Sequence, residues 1–440
     1  MIMTMLATNP AINYDDPPRR RSVVVHSGAR DAYQLARALE EADMLDVLVT
    51  DLFWPTNRPW ARCLEAMLPA GVVRALHQRG EAHLPGTRVR CCGLSGLAVL
   101  LLDKLPRVPF SWRRRAARYA DATLGRVAGE RAAQNQSGLV SYSYYGFDAF
   151  SHFPGAGILF QLHPHPLSMR KILTDELEAH PDCADSLRQE WELSLPEEDF
   201  QRLVQETTMP AHIFVASSFT RRTLLEQGTP AARVSVIPYG VDTARFRPDA
   251  TRQSKGRGPL RLLFVGRINQ RKGIKYLLEA LRSFGPESVH LTVCGRVVDG
   301  LQLFRPFASQ IEVRPSVSSD ELIAAYQAAD LFVFPSVAEG FGQVLLEALA
   351  CGLPILSTTH TAAPDLIEDG NQGFIVEPRR PDLLVGHIAW ALAHRSELGQ
   401  MRERARARAE QFTWDRFRSG VVAAMDAIPR SQVEGQATHV

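Results

Sequence analysis

The run Glu339-Gly340-Phe341-Gly342-Gln343-Val344-Leu345-Leu346-Glu347 follows the apolar segment Leu331-Phe332-Val333-Phe334-Pro335-Ser336. That segment reads as a strand buried on both faces. Gln343 to Ala350 reads as a helix, closed by Cys351-Gly352-Leu353-Pro354 before a further apolar run, Ile355-Leu356-Ser357. The spacing is that of one strand–loop–helix–strand unit of a parallel sheet. Its Gly-rich loop sits at a strand's carboxyl end, where open α/β sheets bind ligands. Glycines let backbone amides approach an anion, and a helix amino terminus favours negative charge. Two carboxylates flank the loop, however, and phosphate would repel them. Glu339 and Glu347 therefore suit hydroxyls as partners, and hydroxyls beside an anion describe a nucleotide sugar. A solvated helix start is the competing explanation, but Glu347 lies within Val-Leu-Leu-Glu-Ala-Leu-Ala, where a buried carboxylate needs partners.

Working outward, 440 residues suffice for two domains with their own cores. A net charge of +2 argues against nucleic acid as a general partner. The six cysteines form no C-x-x-C pair and two are adjacent, which suits neither a disulfide framework nor a zinc site and fits a reducing cytoplasm. Residues 1–21 lack the apolar core of a signal peptide and read, like 431–440, as a flexible tail. The most apolar run, Leu97-Ala98-Val99-Leu100-Leu101-Leu102, is too short to span a bilayer.

Strands and helices alternate in both halves. Ser22-Val23-Val24-Val25-His26 predicts a first strand, followed by a helix whose Ala32, Leu35, Ala36 and Leu39 share one face. Further strands are expected at Val47–Thr50, Leu139–Ser141, Ile158–Leu162, Ile213–Ala216 and Val234–Ile237. A polar, turn-rich linker covers 246–259, after which the alternation restarts with Arg261-Leu262-Leu263-Phe264-Val265-Gly266. His290–Cys294 and Ile311–Val313 follow, and Ser318 with Glu321 predicts a capping box for a helix through Ala329. The expected domains are 22–245, completed by a last helix at 414–430, and 260–413. Two doubly wound Rossmann-like domains facing a cleft is the economical architecture.

Three segments carry a family resemblance: Ala216-Ser217-Ser218-Phe219-Thr220 through Pro238-Tyr239-Gly240-Val241-Asp242 and Phe246-Arg247-Pro248; Phe264-Val265-Gly266-Arg267-Ile268-Asn269-Gln270-Arg271-Lys272-Gly273; and Phe334 to Pro354, extended by Asp365–Gly370. Across most of 211–380 the chain resembles the family 4 retaining glycosyltransferases (glycosyl transferases group 1), which have the GT-B fold. The resemblance implies a UDP- or GDP-sugar as donor, a hydroxyl acceptor on a glycan, glycolipid or small molecule, and a place in polysaccharide or glycolipid synthesis. It makes Arg267 and Lys272 the grip on the donor diphosphate, where fixed cations stabilise the leaving charge. No Asp-x-Asp occurs, so no metal cradle and no cofactor are expected. It also makes Glu339 a contact to the sugar hydroxyls and Glu347 one to the ribose, with Gly266, Gly340, Phe341 and Gly342 around the donor. Gly28 follows the first strand, where backbone can approach the diphosphate. His163, nearer its strand end than His165, is favoured as the functional histidine.

Retention implies attack from the face that the leaving group vacates. With Glu339 assigned to hydroxyls, an oxocarbenium-like ion pair is expected, a donor phosphate oxygen taking the acceptor's proton. The alternatives are a catalytically silent GT-B binding subunit and another GT-B enzyme such as a sugar-nucleotide epimerase. Lys104 to Arg131 carries roughly six excess positive charges, and Lys171 to Glu206 roughly eight excess negative ones. Aromatic residues interleave with the basic run, so Arg113, Arg114 and Arg115 are expected to offer a peripheral contact to an anionic inner-membrane face.

Overall fold

Runs such as Val23-Val24-Val25, with no solvent-exposed member, form strands because both of their faces are covered by helices. The computed structural model describes residues 20–28, 31–56, 58–92, 108–249 and 258–429. Most of the expected tails and of the linker, the run Leu97–Leu102, and Lys104 and Arg107 lie outside the described residues.

Two parallel sheets organise the chain. The first holds β1 (Ser22–Val25), β2 (Leu45–Thr50), β3 (Val89–Cys91), β4 (Gly138–Tyr142), β5 (Ile158–Gln161), β6 (His212–Val215) and β7 (Val234–Val236), in the order 3-2-1-4-5-6-7. The second holds β8 (Leu260–Val265), β9 (Val289–Cys294), β10 (Ile311–Arg314), β11 (Leu331–Phe334), β12 (Ile355–Thr358) and β13 (Gly373–Val376), in the order 10-9-8-11-12-13. Strand order reverses at β1/β4 in one sheet and at β8/β11 in the other. The loops leaving those four strands are therefore where each sheet can take a ligand.

Two strands escape the sequence reading. β3 has three residues and a half-exposed to exposed burial pattern, so it lacks the apolar run that marks its neighbours. β13 begins at Gly373 (φ 155°), packed so closely on Ile355 that a β-carbon there would overlap its backbone. The capping box is present: Ser318 accepts from the Glu321 amide, and the Glu321 carboxylate accepts from the Ser318 amide at 2.6 Å. The last helix, Trp414–Ala427, lies against Gln34–Glu41 of the first domain, joined by Arg418 to Gln34 (2.6 Å) and Glu41 (2.8 Å).

Two expectations need correction. Arg20 and Arg21, at the end of the expected tail, are tied to the fold: Arg20 donates to the Ser137 carbonyl (3.1 Å) and Arg21 to Asp43 (2.6 Å). Nor do Arg113, Arg114 and Arg115 form one outward patch. In the helix Phe110–Asn135, Arg113 folds back on the Val108 carbonyl, and Arg114 turns inward to the Gln189 carbonyl and lies 4.0 Å over the Trp191 ring. Consecutive helical positions point 100° apart, so a triplet cannot share a face. Arg115 faces outward, as do Trp112 and Tyr119. Among the described residues no helix is long and apolar enough to cross a membrane.

Candidate active site at the interdomain cleft

The loop after β8 turns sharply. Asn269 caps a single 3-10 turn, Gln270–Lys272, and Gly273 follows in the left-handed region (φ 74°), pressed against the Pro335 carbonyl where a β-carbon would collide. Only glycine tolerates both demands. This close approach locks the cationic loop onto the loop that leaves β11. Ser336 Oγ donates to the Arg271 carbonyl (3.1 Å), and the Val337 amide does the same (3.0 Å).

Glu339 lands where the two loops meet. Its carboxylate contacts Lys272 Nζ and accepts from Arg271 Nη1 (3.2 Å), and all three side chains are nearly buried. Lys272 is 9% exposed. Burial, and then the neighbouring Arg271, push the Lys272 ammonium well below its ordinary pKa, while Glu190 pulls it back. Arg267, by contrast, is exposed, with its guanidinium 3.0 Å from Gln189 Oε1. Arg271 is a third cation that the sequence reading passed over; the adjacent pair Arg271-Lys272 was its available signal.

The first domain holds the glutamate loop from the other side. Ser217 Oγ (2.5 Å) and Thr220 Oγ1 (3.1 Å) both donate to the Gly340 carbonyl. A β-carbon on Gly340 would overlap the Leu162 carbonyl, so the loop and the end of β5 meet backbone to backbone. Ser218 adds two bonds to Asp365, at 2.8 and 3.0 Å. His163 and Glu339 both line a cleft of about 480 Å³, whose lining also includes Phe341, Gly342, Gln343 and Glu347. Tyr239, Asp242, Arg245 and Asp31 complete much of the wall; none of these four was singled out from the sequence for the site.

The two histidines part company. His163 is half-buried and lines the cleft, its ring 5.9 Å from Tyr144. His165 is buried under the next helix, Pro166–Ala179, which it caps by accepting from the Leu167 amide, with Thr207 on its other nitrogen (3.2 Å). Burial lowers its pKa to about 4, so it stays neutral. Glu347 sits on the helix Gln343–Ala350, which Gly342 starts at φ 86°, and accepts from Tyr326 Oη (2.9 Å). Burial raises its pKa; Tyr326 and Arg245 oppose the shift. Gly28 is not among the residues lining the cleft, and neither are Gly266, Arg267, Lys272 and Gly340; the Gly28 amide donates to Asp51 (2.8 Å), which Arg79 also holds. Gly266 opens the cationic loop, its amide bonded to the Cys294 carbonyl at 3.0 Å.

The chain is similar to known proteins in sequence and in fold. Residues 248–411 match the model of glycosyl transferases group 1. The chain is 32% identical, over 43% of its length, to D-inositol 3-phosphate glycosyltransferase of Paenarthrobacter aurescens, and 31% identical, over 53%, to the enzyme of that name from Segniliparus rotundus. The chain spans about half the length of the curated relatives it matches, 50% and 56% of these two. Among solved structures, sucrose-phosphate synthase from Thermosynechococcus elongatus superposes with a TM-score of 0.62 at 18% identity, over 93% of this chain and 98% of its own. Anabaena HepE in complex with UDP-glucose gives 0.57 at 15%, over 93% and 100%. The likeness runs through both sheets, and the architecture is GT-B.

Proposed function

We propose that the protein is a retaining, family 4-type glycosyltransferase that moves a sugar from a UDP- or GDP-sugar to a hydroxyl acceptor in glycan, polysaccharide or glycolipid synthesis. The observation that carries this reading is the pairing of Arg271 and Lys272 with Glu339, with Arg267 on the same loop, beside a cleft that Glu339 and His163 both line. Lys272 and Glu339 pair with each other here, and a nucleotide sugar offers each a replacement: phosphate oxygens for the ammonium, sugar hydroxyls for the carboxylate. As the glycosidic bond breaks, charge grows on the diphosphate, and cations already fixed by the turn stabilise it without reorganisation. That charge can be supplied by side chains alone, so no metal ion or cofactor enters the reading. Glu347, held by Tyr326, would accept from ribose hydroxyls.

The chemistry follows from what the site places where. Glu339 is held by two cations, which suits hydroxyl binding and leaves it a poor covalent nucleophile. The acceptor hydroxyl attacks the anomeric carbon from the face that the phosphate leaves, and its proton passes to a phosphate oxygen. His163, neighbouring Tyr144 at the end of β5, orients the reacting groups. Domain closure about the Gly340–Leu162 contact excludes water. The place of reaction in this reading is a reducing cytoplasm, argued from the cysteine spacing, which has no C-x-x-C pair and two adjacent cysteines.

A screen of nucleotide sugars by thermal shift, followed by NMR of the product's anomeric centre, tests this. We expect one UDP- or GDP-sugar to stabilise the protein and the product to keep the donor's anomeric configuration. Inversion, or nucleotide release that no hydroxyl acceptor stimulates, would overturn the assignment.

A further inference from the structure

Part of the acidic segment of the first domain lies on the cationic loop of the second, while Glu178, Asp185, Glu197 and Glu198 face solvent. Glu176, with no exposed surface, accepts from Gln270 (2.9 Å) and Tyr276 (3.1 Å) and pairs with Arg379. Asp182 takes Lys275 at 2.7 Å. These two anchor the segment at the rim. Further along, Gln189 and Glu190 reach the cations themselves. Glu190 Oε1 accepts from Asn269 Nδ2 (2.9 Å) and lies 3.2 Å from Arg271 Nε, while Gln189 Oε1 takes Arg267 (3.0 Å). Both carboxylate partners of Arg271, Glu190 and Glu339, are about nine-tenths buried.

We propose that the Gln189–Glu190 pair occupies the place of the donor's diphosphate, so that Glu190 is a built-in competitor that the incoming donor displaces. This rests on the reading of Arg267 and Lys272 as a diphosphate grip. A carboxylate and a phosphate cannot share buried cations, because like charges that close repel strongly in a low-dielectric setting. Displacement can be local: beyond Cys183 and Leu187, which are packed in a small apolar cluster, residues 181–195 form only a 3-10 turn and two helices of four residues, Ala184–Leu187 and Trp191–Ser194. It also carries a signal. The Trp191 ring stacks under Arg114 and stands 5.6 Å from Tyr144, the neighbour of His163. Releasing Glu190 therefore loosens the wall behind His163, linking donor entry to the acceptor side of the cleft.

Calorimetry with UDP, GDP and ADP on the full chain and on E190Q tests the proposal. The variant keeps the shape and removes the charge, so whichever nucleoside diphosphate binds should bind about tenfold tighter to E190Q, the scale of one charge-assisted contact. Uridine or guanosine, lacking phosphate, should bind both proteins alike. In the wild-type protein, amides of 181–195 should exchange hydrogen faster once the nucleoside diphosphate is bound. That measurement decides the matter should E190Q fail to fold. Binding to E190Q that is equal or weaker, or protection of 181–195 on binding, overturns the displacement while leaving the diphosphate grip standing. Binding of none of the three nucleotides to either protein overturns both.

Discussion

Burial separates two cations that look equivalent as letters. Arg267 is exposed and donates to a neutral amide, whereas Lys272 is buried against Glu339. Arg267→Ala and Lys272→Ala should each lower turnover by about 100-fold or more, the scale of losing a transition-state charge contact. Their stabilities should diverge: Arg267→Ala should melt like wild type, and Lys272→Ala should lose about 3 kcal/mol, because it leaves Glu339 with Arg271 as its remaining partner. Equal melting curves for the two would refute this division. Tyr326 gives a subtler case. Its hydroxyl holds Glu347 at 2.9 Å, so Tyr326→Phe should weaken nucleoside diphosphate binding about fivefold with kcat unchanged, since a ribose contact acts equally in ground and transition states. A fall in kcat at constant affinity would place Glu347 at the reacting centre instead.

Within the element that follows β5, one residue caps and the other faces the cleft. His165 closes the helix Pro166–Ala179 with its ring buried, and its pKa falls from 6.5 to about 4. Because the folded value is depressed, the unfolded chain takes up the proton first. The contribution is complete above pH 6.5 and is lost as the pH falls toward 4, on the order of 3 kcal/mol in all. His165→Asn keeps an oxygen to accept from the Leu167 amide but no longer titrates. Its Tm should therefore start lower at pH 8 and decline less steeply than wild type between pH 6.5 and 4. Parallel curves would show that His165 takes no part in acid sensitivity.

For the molecule as a whole, function depends on how closely the two domains approach. Gly340 meets Leu162 backbone to backbone, and the Ser217 and Thr220 hydroxyls hold the Gly340 carbonyl. Gly340→Ala adds one methyl where there is no room, so the domains must part. Transfer should fall by about 100-fold or more, because an ångström of misplacement at a reacting centre costs that much. Small-angle scattering should report a larger radius of gyration. A compact and active Gly340→Ala protein would remove the closure from the mechanism.

Much of this was legible in the chain itself. The apolar runs of β1, β8 and β11, the turn glycines after β8 and the capping box at Ser318 follow from short-range rules, because periodicity, φ restrictions and capping act over a few residues. So did the two glutamates flanking a Gly-rich loop. β3 and β13 were not legible, since a three-residue edge strand and a strand opened by glycine carry no such local signature. Partnerships between domains were hidden for another reason. Glu190 and Arg271 are 81 positions apart, and neither sequence neighbourhood names the other. The same holds for Arg114 turning in to Trp191 and for Lys272 burying itself against Glu339, whereas His163, favoured over His165 for its place nearer the strand end, does line the cleft. Local sequence determined which chemistry the loops carry. Packing of one sheet's loops on the other's decided which charges meet, because burial and pairing belong to the surfaces brought together.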